Sequence, residues 1–251
     1  MRYFIELSYH GKNYHGWQIQ PNEISVQEVI EKALSTLLGS EITVMGCGRT
    51  DTGVHAEQFY LHFDFDGILD KDKLKYKLNS FLPKDIAIFQ ILKVNPEAHA
   101  RFDAVSRSYT YRISLNKNVF TSELSMNLNF PDLNVAKMNK ASMILMDHTD
   151  FKCFSRTKTD VKTYECTITE AFWEQKGDDL NFYISANRFL RNMVRAIVGT
   201  LLEIGKGKMT LKEFKEVIES RDRSRAGASA KAKGLFLTSV KYPESVFLRE
   251  L

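Results

Sequence analysis

Residues 2–9 alternate, with Tyr3, Ile5, Leu7 and Tyr9 on one side and Phe4, Glu6 and Ser8 on the other. That period of two predicts a β-strand. A polar, aromatic loop follows from His10 to Gln20. Ser25 and Glu28 then form a capping box, and Val29, Ile30, Ala33, Leu34, Leu37 and Leu38 give the helix behind it one apolar face. A short strand is expected at 42–46. Residues 58–66 alternate strictly, with Phe59, Leu61, Phe63 and Phe65 together, which predicts a half-buried antiparallel strand. His62 lies on its other face and reads as a surface or pairing residue. Asp70 is placed to cap a helix to about Phe81, closed by Leu82-Pro83, and 86–94 is a further strand. The order β-α-β-β-α-β is that of a split βαβ, ferredoxin-like unit.

The second half repeats the theme. A strand is expected over 106–115, with Tyr109 and Tyr111 on one face, and a helix over 134–147. Residues 116–133 lack periodicity and read as the most mobile loop. Strands at 162–175 and 179–186 meet at the turn signal Gly177-Asp178-Asp179. A helix is predicted over 188–204, with Met193, Ile197, Leu201 and Ile204 toward the core. On it Arg188, Arg191 and Arg195 fall at i, i+3 and i+7, hence on one face. Thr210 and Glu213 form a second capping box for a helix to about Glu219, and 235–242 is the last strand. No Pro/Ser-rich linker separates the halves. The expectation is an α+β fold with a soft boundary near residue 105. The halves 1–105 and 106–251 would share one mainly antiparallel mixed sheet, with helices packed on it.

Composition narrows the class without fixing the function. The 251 residues are 43% hydrophobic, ample for a sizeable core, and no apolar run approaches the roughly 20 residues that span a bilayer. The opening Met1-Arg2-Tyr3-Phe4-Ile5-Glu6 turns polar too soon for a signal peptide. Cys47, Cys153 and Cys166 have no CxxC spacing, which predicts reduced thiols in a cytoplasmic protein. A net charge of +4 does not by itself argue for nucleic-acid binding. Local basic clusters, Lys152 to Lys162 and Arg221 to Arg225, are better candidates for phosphate contacts.

The chemistry concentrates in Gly46-Cys47-Gly48-Arg49-Thr50-Asp51-Thr52-Gly53-Val54-His55. Three glycines in eight residues predict an unusual, fixed loop path between two strands. Arg49, two residues from Asp51, favours the anionic form of that carboxylate. Residue types alone leave two readings open, an ion pair that pins a turn and a carboxylate kept as nucleophile or base. Cys47 could be a nucleophile only with His55 or His62 as its base; a small buried thiol is the simpler reading. Tyr14 and Trp17 in the first loop could stack on nucleotides or cover the sheet edge.

The motif Gly-Arg-Thr-Asp-x-Gly-Val-His resembles the active-site loop of the tRNA pseudouridine synthases of the TruA type. Four further blocks resemble that family in order: Tyr9 to Gln20 with Ser25-Val26-Gln27-Glu28, Ala100 to Tyr111, Phe189 to Gly199, and Ala228 to Leu235. The likeness spans residues 9 to 242, nearly the whole chain. His10 departs from it, standing where the family more often has an aspartate. The resemblance implies the pseudouridine synthase fold with a central active-site cleft. It implies isomerisation of uridine at positions 38, 39 and 40 of the tRNA anticodon stem-loop, by a homodimer. Asp51 would be the nucleophile, Arg195 its ion-pair partner, and Tyr109 the ring and hydroxyl on the target uracil. Arg49 would fill the space left by the flipped base, and His55 would hold the loop.

That reaction breaks N1–C1′, turns the uracil and joins C5 to C1′. It has no redox step and loses no heavy atom, so no cofactor and no metal are expected. It needs an anionic carboxylate, as in the nucleophile of a retaining glycosidase, and it needs water kept out. Attack at C1′, attack at C6 and abstraction of the C2′ proton all remain open. Rival readings are a non-catalytic RNA-binding relative and a glycoside hydrolase. The first sits poorly with Arg49, Asp51, Tyr109 and Arg195 all intact, the second with the lack of a second carboxylate in the motif.

Overall fold

A computed structural model of the chain describes residues 1–157 and 162–248. Lys158 to Val161, inside the basic stretch from Lys152 to Lys162, lie outside the described residues, as do 249–251. In chain order the elements are β1 (Arg2–Tyr9), α1 (Val26–Leu38), β2 (Met45–Gly46), β3 (His55–Asp64), α2 (Lys71–Phe81), β4 (Ile86–Lys93), β5 (Ser106–Ser114), β6 (Met126–Asn127), α3 (Val135–Ile144), β7 (Ile168–Lys176), β8 (Asp179–Ala186), α4 (Met193–Gly205), α5 (Leu211–Ser220) and β9 (Leu235–Lys241). The protein is α+β, and its strand pairs are largely antiparallel. Two compact units form, Met1–Ser106 with Leu237–Leu251, and Arg107–Phe236.

In the first unit β1 lies between β3 and β4, antiparallel to both, and β2 pairs with β3 through Met45–His62 and Gly46–Leu61. This is the split βαβ arrangement. Phe4, Ile5 and Leu7 are all fully buried, so β1 is covered on both faces and is the centre of this core. The helix α1 starts where Ser25 Oγ accepts the Glu28 N–H at 3.2 Å. It stops at Gly39, whose φ of 70° suits a residue without Cβ. The strand expected at 42–46 contracts to two residues for a local reason. Ile42 N–H donates to Ser35 Oγ and Val44 N–H to Glu31 Oε1, each at 2.9 Å. Side chains of α1 thus take donors that a strand ladder would have used.

In the second unit β8 lies between β5 and β7, antiparallel to both, and β6 runs parallel to β5 at Ile113–Met126. Asn139 fastens α3 to β7, accepting Trp173 N–H at 2.7 Å and donating to Trp173 O at 3.0 Å. The capping box of Thr210 and Glu213 is complete at the start of α5. One element begins late. Asn192 adopts φ 66°, a left-handed conformation that ends the preceding turn, so α4 opens at Met193. Arg188 and Arg191 therefore precede the helix, and the expected face of three arginines reduces to Arg195.

His62 is not a surface residue. It is buried on β3, its Nδ1 accepts Ala100 N–H at 3.1 Å, and its ring stands edge-on to His99 at 4.7 Å. Burial, then the charges of Arg2 and His99, push its pKa from 6.5 down to about 4, against smaller raising effects of Asp64 and Asp103. The unfolded chain takes up this proton at higher pH than the folded one. The His62 contribution is therefore intact above the ordinary histidine range and is lost as pH falls toward the folded value. By pH 5 the loss is about 2 kcal/mol. Urea unfolding at pH 7 and pH 5 checks this. His62→Asn keeps an acceptor for Ala100 N–H and should flatten the dependence; an unchanged pH slope would contradict it. Among the described residues, no helix is long and apolar enough to cross a membrane.

Candidate active site

The loop that carries Asp51 is built by contact with the loop after β1. β2 ends at Gly46, and Cys47 N–H still donates to Tyr60 O at 2.7 Å. Beyond it Arg49 and Asp51 lie in a loop, Arg49 exposed and Asp51 half-buried. Thr50, between them, is buried, and its hydroxyl bonds to the Tyr9 hydroxyl at 2.9 Å. Trp17 N–H donates to Thr50 O at 3.3 Å, Gly53 N–H to Tyr14 O at 3.3 Å, and Val54 N–H to Asp51 O at 3.1 Å. The residue before Asp51 and the two after Thr52 are thus held from both sides. A buried hydrogen bond such as Tyr9–Thr50 contributes about 1 kcal/mol, more if breaking it strands a partner.

Two glycines let the loops touch. A Cβ on Gly11 would stand 2.0 Å from Val54 O, and one on Gly16, at φ +87°, would stand 2.3 Å from Thr50 O. Only glycine allows such an approach of backbone to backbone. His55 completes the joint. Its Nδ1 accepts Gly11 N–H at 3.1 Å, which assigns it as the acceptor nitrogen, and its ring meets that of His10 at 4.4 Å. His10 therefore packs on the histidine of the motif.

Tyr14 and Trp17 are not stacking platforms. Both are buried; Trp17 stacks on Phe59 at 4.1 Å, and Tyr14 hydroxyl donates to Asp85 at 2.5 Å. They anchor the first loop to the core. Cys47, too, is buried, and it is in no disulfide.

The other candidates belong to the second unit. Tyr109 sits on β5 opposite Ile184, half-buried, its ring edge-on to Phe189 at 5.1 Å. Tyr111, two residues on, is fully buried, with its hydroxyl donating to Lys231 O at 2.7 Å. Burial pushes its phenol well above the ordinary range. Of the two tyrosines, Tyr109 is thus the accessible one. Arg195 is the third residue of α4, whose other first-turn side chains are buried and apolar. Its Nε donates to Ala230 O at 2.7 Å, while its own carbonyl accepts Ala230 N–H at 2.9 Å. A cation in the first turn of a helix opposes the helix dipole by about 0.3–1 kcal/mol. The charge-assisted bond to Ala230 O, worth about 1.5–3 kcal/mol, offsets that cost and fixes the direction of the guanidinium.

The Arg221–Arg225 cluster is largely committed within the fold. Arg221 pairs with Asp150 at 2.9 Å, Arg225 with Glu216 at 3.8 Å, and Arg223 bonds to Ser229 Oγ and to the carbonyls of Ala226 and Gly227. Tyr9, Gly11, Gly16, Thr50 and Ala230 all fall in the family-like blocks of the sequence, but their supporting roles depend on contacts between residues far apart in the chain. The paired glycines around Tyr14 were the one visible signal.

Comparison with known proteins adds a second, independent line. The family description "tRNA pseudouridine synthase" matches residues 7–103 and 144–243. A protein of Parabacteroides distasonis named tRNA pseudouridine synthase A is 52% identical over 248 residues, covering 98% of this chain and 98% of its own. Proteins of the same name from Bacteroides thetaiotaomicron and Porphyromonas gingivalis are 50% and 47% identical, covering 99% and 98% of this chain and 93% and 99% of theirs. The matched segments take in the Asp51 loop, its supporting glycines and the Arg195 helix, and with identities of this size over nearly the full length, the chain belongs to the tRNA pseudouridine synthase family.

Proposed function

We propose that this chain isomerises uridine to pseudouridine at positions 38, 39 and 40 of the tRNA anticodon stem-loop. The observation that carries the reading is the full-length likeness to proteins named tRNA pseudouridine synthase A. In it, Asp51 is the nucleophile, and the Arg195 guanidinium keeps that carboxylate anionic once water is excluded. Tyr109 lies on the target uracil and helps move the C5 proton. Arg49, exposed beside Asp51, occupies the space of the everted base, whose unstacking costs a few kcal/mol. The chain acts as a homodimer in the cytoplasm, where its buried cysteines, none of them in a disulfide, stay reduced. The chemistry uses no cofactor, because uridine and pseudouridine are isomers.

Three features support these roles. The Asp51 loop is held by backbone bonds to the first loop, Tyr109 is the accessible tyrosine of its strand, and the Arg195 guanidinium is oriented by its bond to Ala230 O. The test is incubation of purified protein with unmodified tRNA transcript, followed by nucleoside analysis and mapping of the modified position. Pseudouridine at 38–40 is expected. Binding without product would favour an RNA-binding relative, and release of free uracil a hydrolase.

A further inference from the structure

The second unit contains a hydrogen-bonded assembly that the proposed chemistry does not use. Ser229 Oγ accepts two hydrogen bonds, from Asn192 Nδ2 at 2.7 Å and from an Arg223 terminal nitrogen at 3.0 Å. The other terminal nitrogen of Arg223 donates to Ala226 O at 3.3 Å and Gly227 O at 3.1 Å. One guanidinium therefore fastens three residues of the segment 226–229. The next residue, Ala230, holds Arg195 by both its N–H and its carbonyl.

This segment also lies directly on α4. A Cβ on Gly199 would stand 1.8 Å from Ala228 O, and Gly227 N–H donates to Thr200 Oγ1 at 2.9 Å. Asn192, at φ 66°, joins the same serine from the residue that opens α4. The segment is small and apolar apart from Ser229, so it has little side-chain bulk of its own to fix its path. Without Arg223, the carbonyls of Ala226 and Gly227 lose a charged donor and Ser229 loses one of its two. A shift there moves Ala230, and with it the atom that orients the Arg195 guanidinium.

We infer that Arg223 is a positioning residue, acting through Ser229 and the Ala226–Ala230 segment to set the direction of the Arg195 guanidinium. This rests on the reading of Arg195 as the group that keeps the reacting carboxylate anionic. Placement errors near one ångström at a reacting centre can cost about 10²-fold in rate. A residue that acts through Arg195 should slow the chemical step and leave tRNA binding nearly intact.

The experiment compares Arg223→Ala, Ser229→Ala, Arg195→Lys and the Arg195→Lys/Arg223→Ala double variant. Single-turnover pseudouridine formation, tRNA Kd and thermal unfolding are measured on each. Arg223→Ala is expected to slow turnover by about 10- to 100-fold with Kd changed by less than about three-fold. Added to Arg195→Lys, it should cost little more, because both changes remove the same placement. Ser229→Ala should slow turnover in the same way, and it carries the test if Arg223→Ala does not fold. A wild-type rate in a folded Arg223→Ala or Ser229→Ala protein would overturn the proposal. So would a fully multiplicative loss in the double variant, or a Kd that weakens as much as the rate falls. Wild-type turnover in Arg195→Lys would instead remove the role of Arg195 itself, and the positioning role with it.

Discussion

Asp51→Asn is expected to lose pseudouridine formation by about 10⁴-fold or more, while tRNA Kd stays within about three-fold of wild type. The change preserves shape and removes charge, nucleophilicity and basicity together. Backbone bonds from Trp17 to Thr50, from Gly53 to Tyr14 and from Val54 to Asp51 fix the loop without needing the carboxylate charge. The thermal midpoint should therefore move by only a few degrees, about what 1 kcal/mol produces in a chain of this size. Whether attack falls on C1′ or C6, or the carboxylate takes the C2′ proton, an amide can serve none of these routes. A single-turnover assay on saturated enzyme, with Kd from filter binding, separates loss of chemistry from loss of tRNA. Unchanged turnover in a folded Asp51→Asn protein would remove that residue from the mechanism.

The second large effect comes from a residue with no chemistry of its own. Gly16→Ala forces a Cβ into a position with φ +87°, 2.3 Å from Thr50 O and 3.2 Å from the Asp51 carbonyl carbon. Left-handed strain of about 1 kcal/mol adds to a backbone overlap that only movement of the Asp51 loop can relieve. Stability should fall by about 2–4 kcal/mol, and the folded fraction should turn over about 10²-fold more slowly. Gly39→Ala supplies the control. It shares the left-handed conformation, at φ +70°, but a Cβ there meets nothing within 4 Å. It should show the strain in its unfolding curve and a normal rate. Equal rates for the two variants would contradict the account of loop placement.

Local signals were legible where the partners are near in sequence. The N-cap bonds at Ser25 and Thr210 appear because a cap and its N–H lie three residues apart, although the full reciprocal box forms at Thr210 and only its first half at Ser25. The alternation through Phe59, Leu61 and Phe63 likewise marked β3, but the strand is not half-buried there, since Tyr60 and His62 on its other face are buried too. What sequence hid depends on distant partners. Trp17 and Tyr14 look like exposed aromatics until Phe59 and Asp85 are brought beneath them. Residues 42–44 look extended, yet their donors turn to α1. A non-glycine residue in left-handed conformation at Asn192 leaves no trace in hydrophobic periodicity, so α4 reads as starting five residues too early. The intramolecular partners of the arginines at 221, 223 and 225 are hidden in the sequence because Asp150, Ser229 and Glu216 are not their neighbours in the chain. Of the site, the Asp51 motif was visible from its own residues. Its supports, Tyr9, Thr50, Gly11 and Gly16, are defined by the distant residues they touch, Tyr9 by its hydroxyl bond to Thr50 and the glycines by close backbone approach.

Tritium at C5 of uridine in the tRNA tests the central claim most directly, since joining C5 to C1′ must release it to water. For the wild-type chain, tritium release should equal pseudouridine formed, mole for mole, with no free uracil. The Asp51→Asn chain, bound to the same tRNA, should release none above background. Tritium release at the wild-type rate without the carboxylate, or uracil in place of pseudouridine from the wild-type protein, would contradict the account.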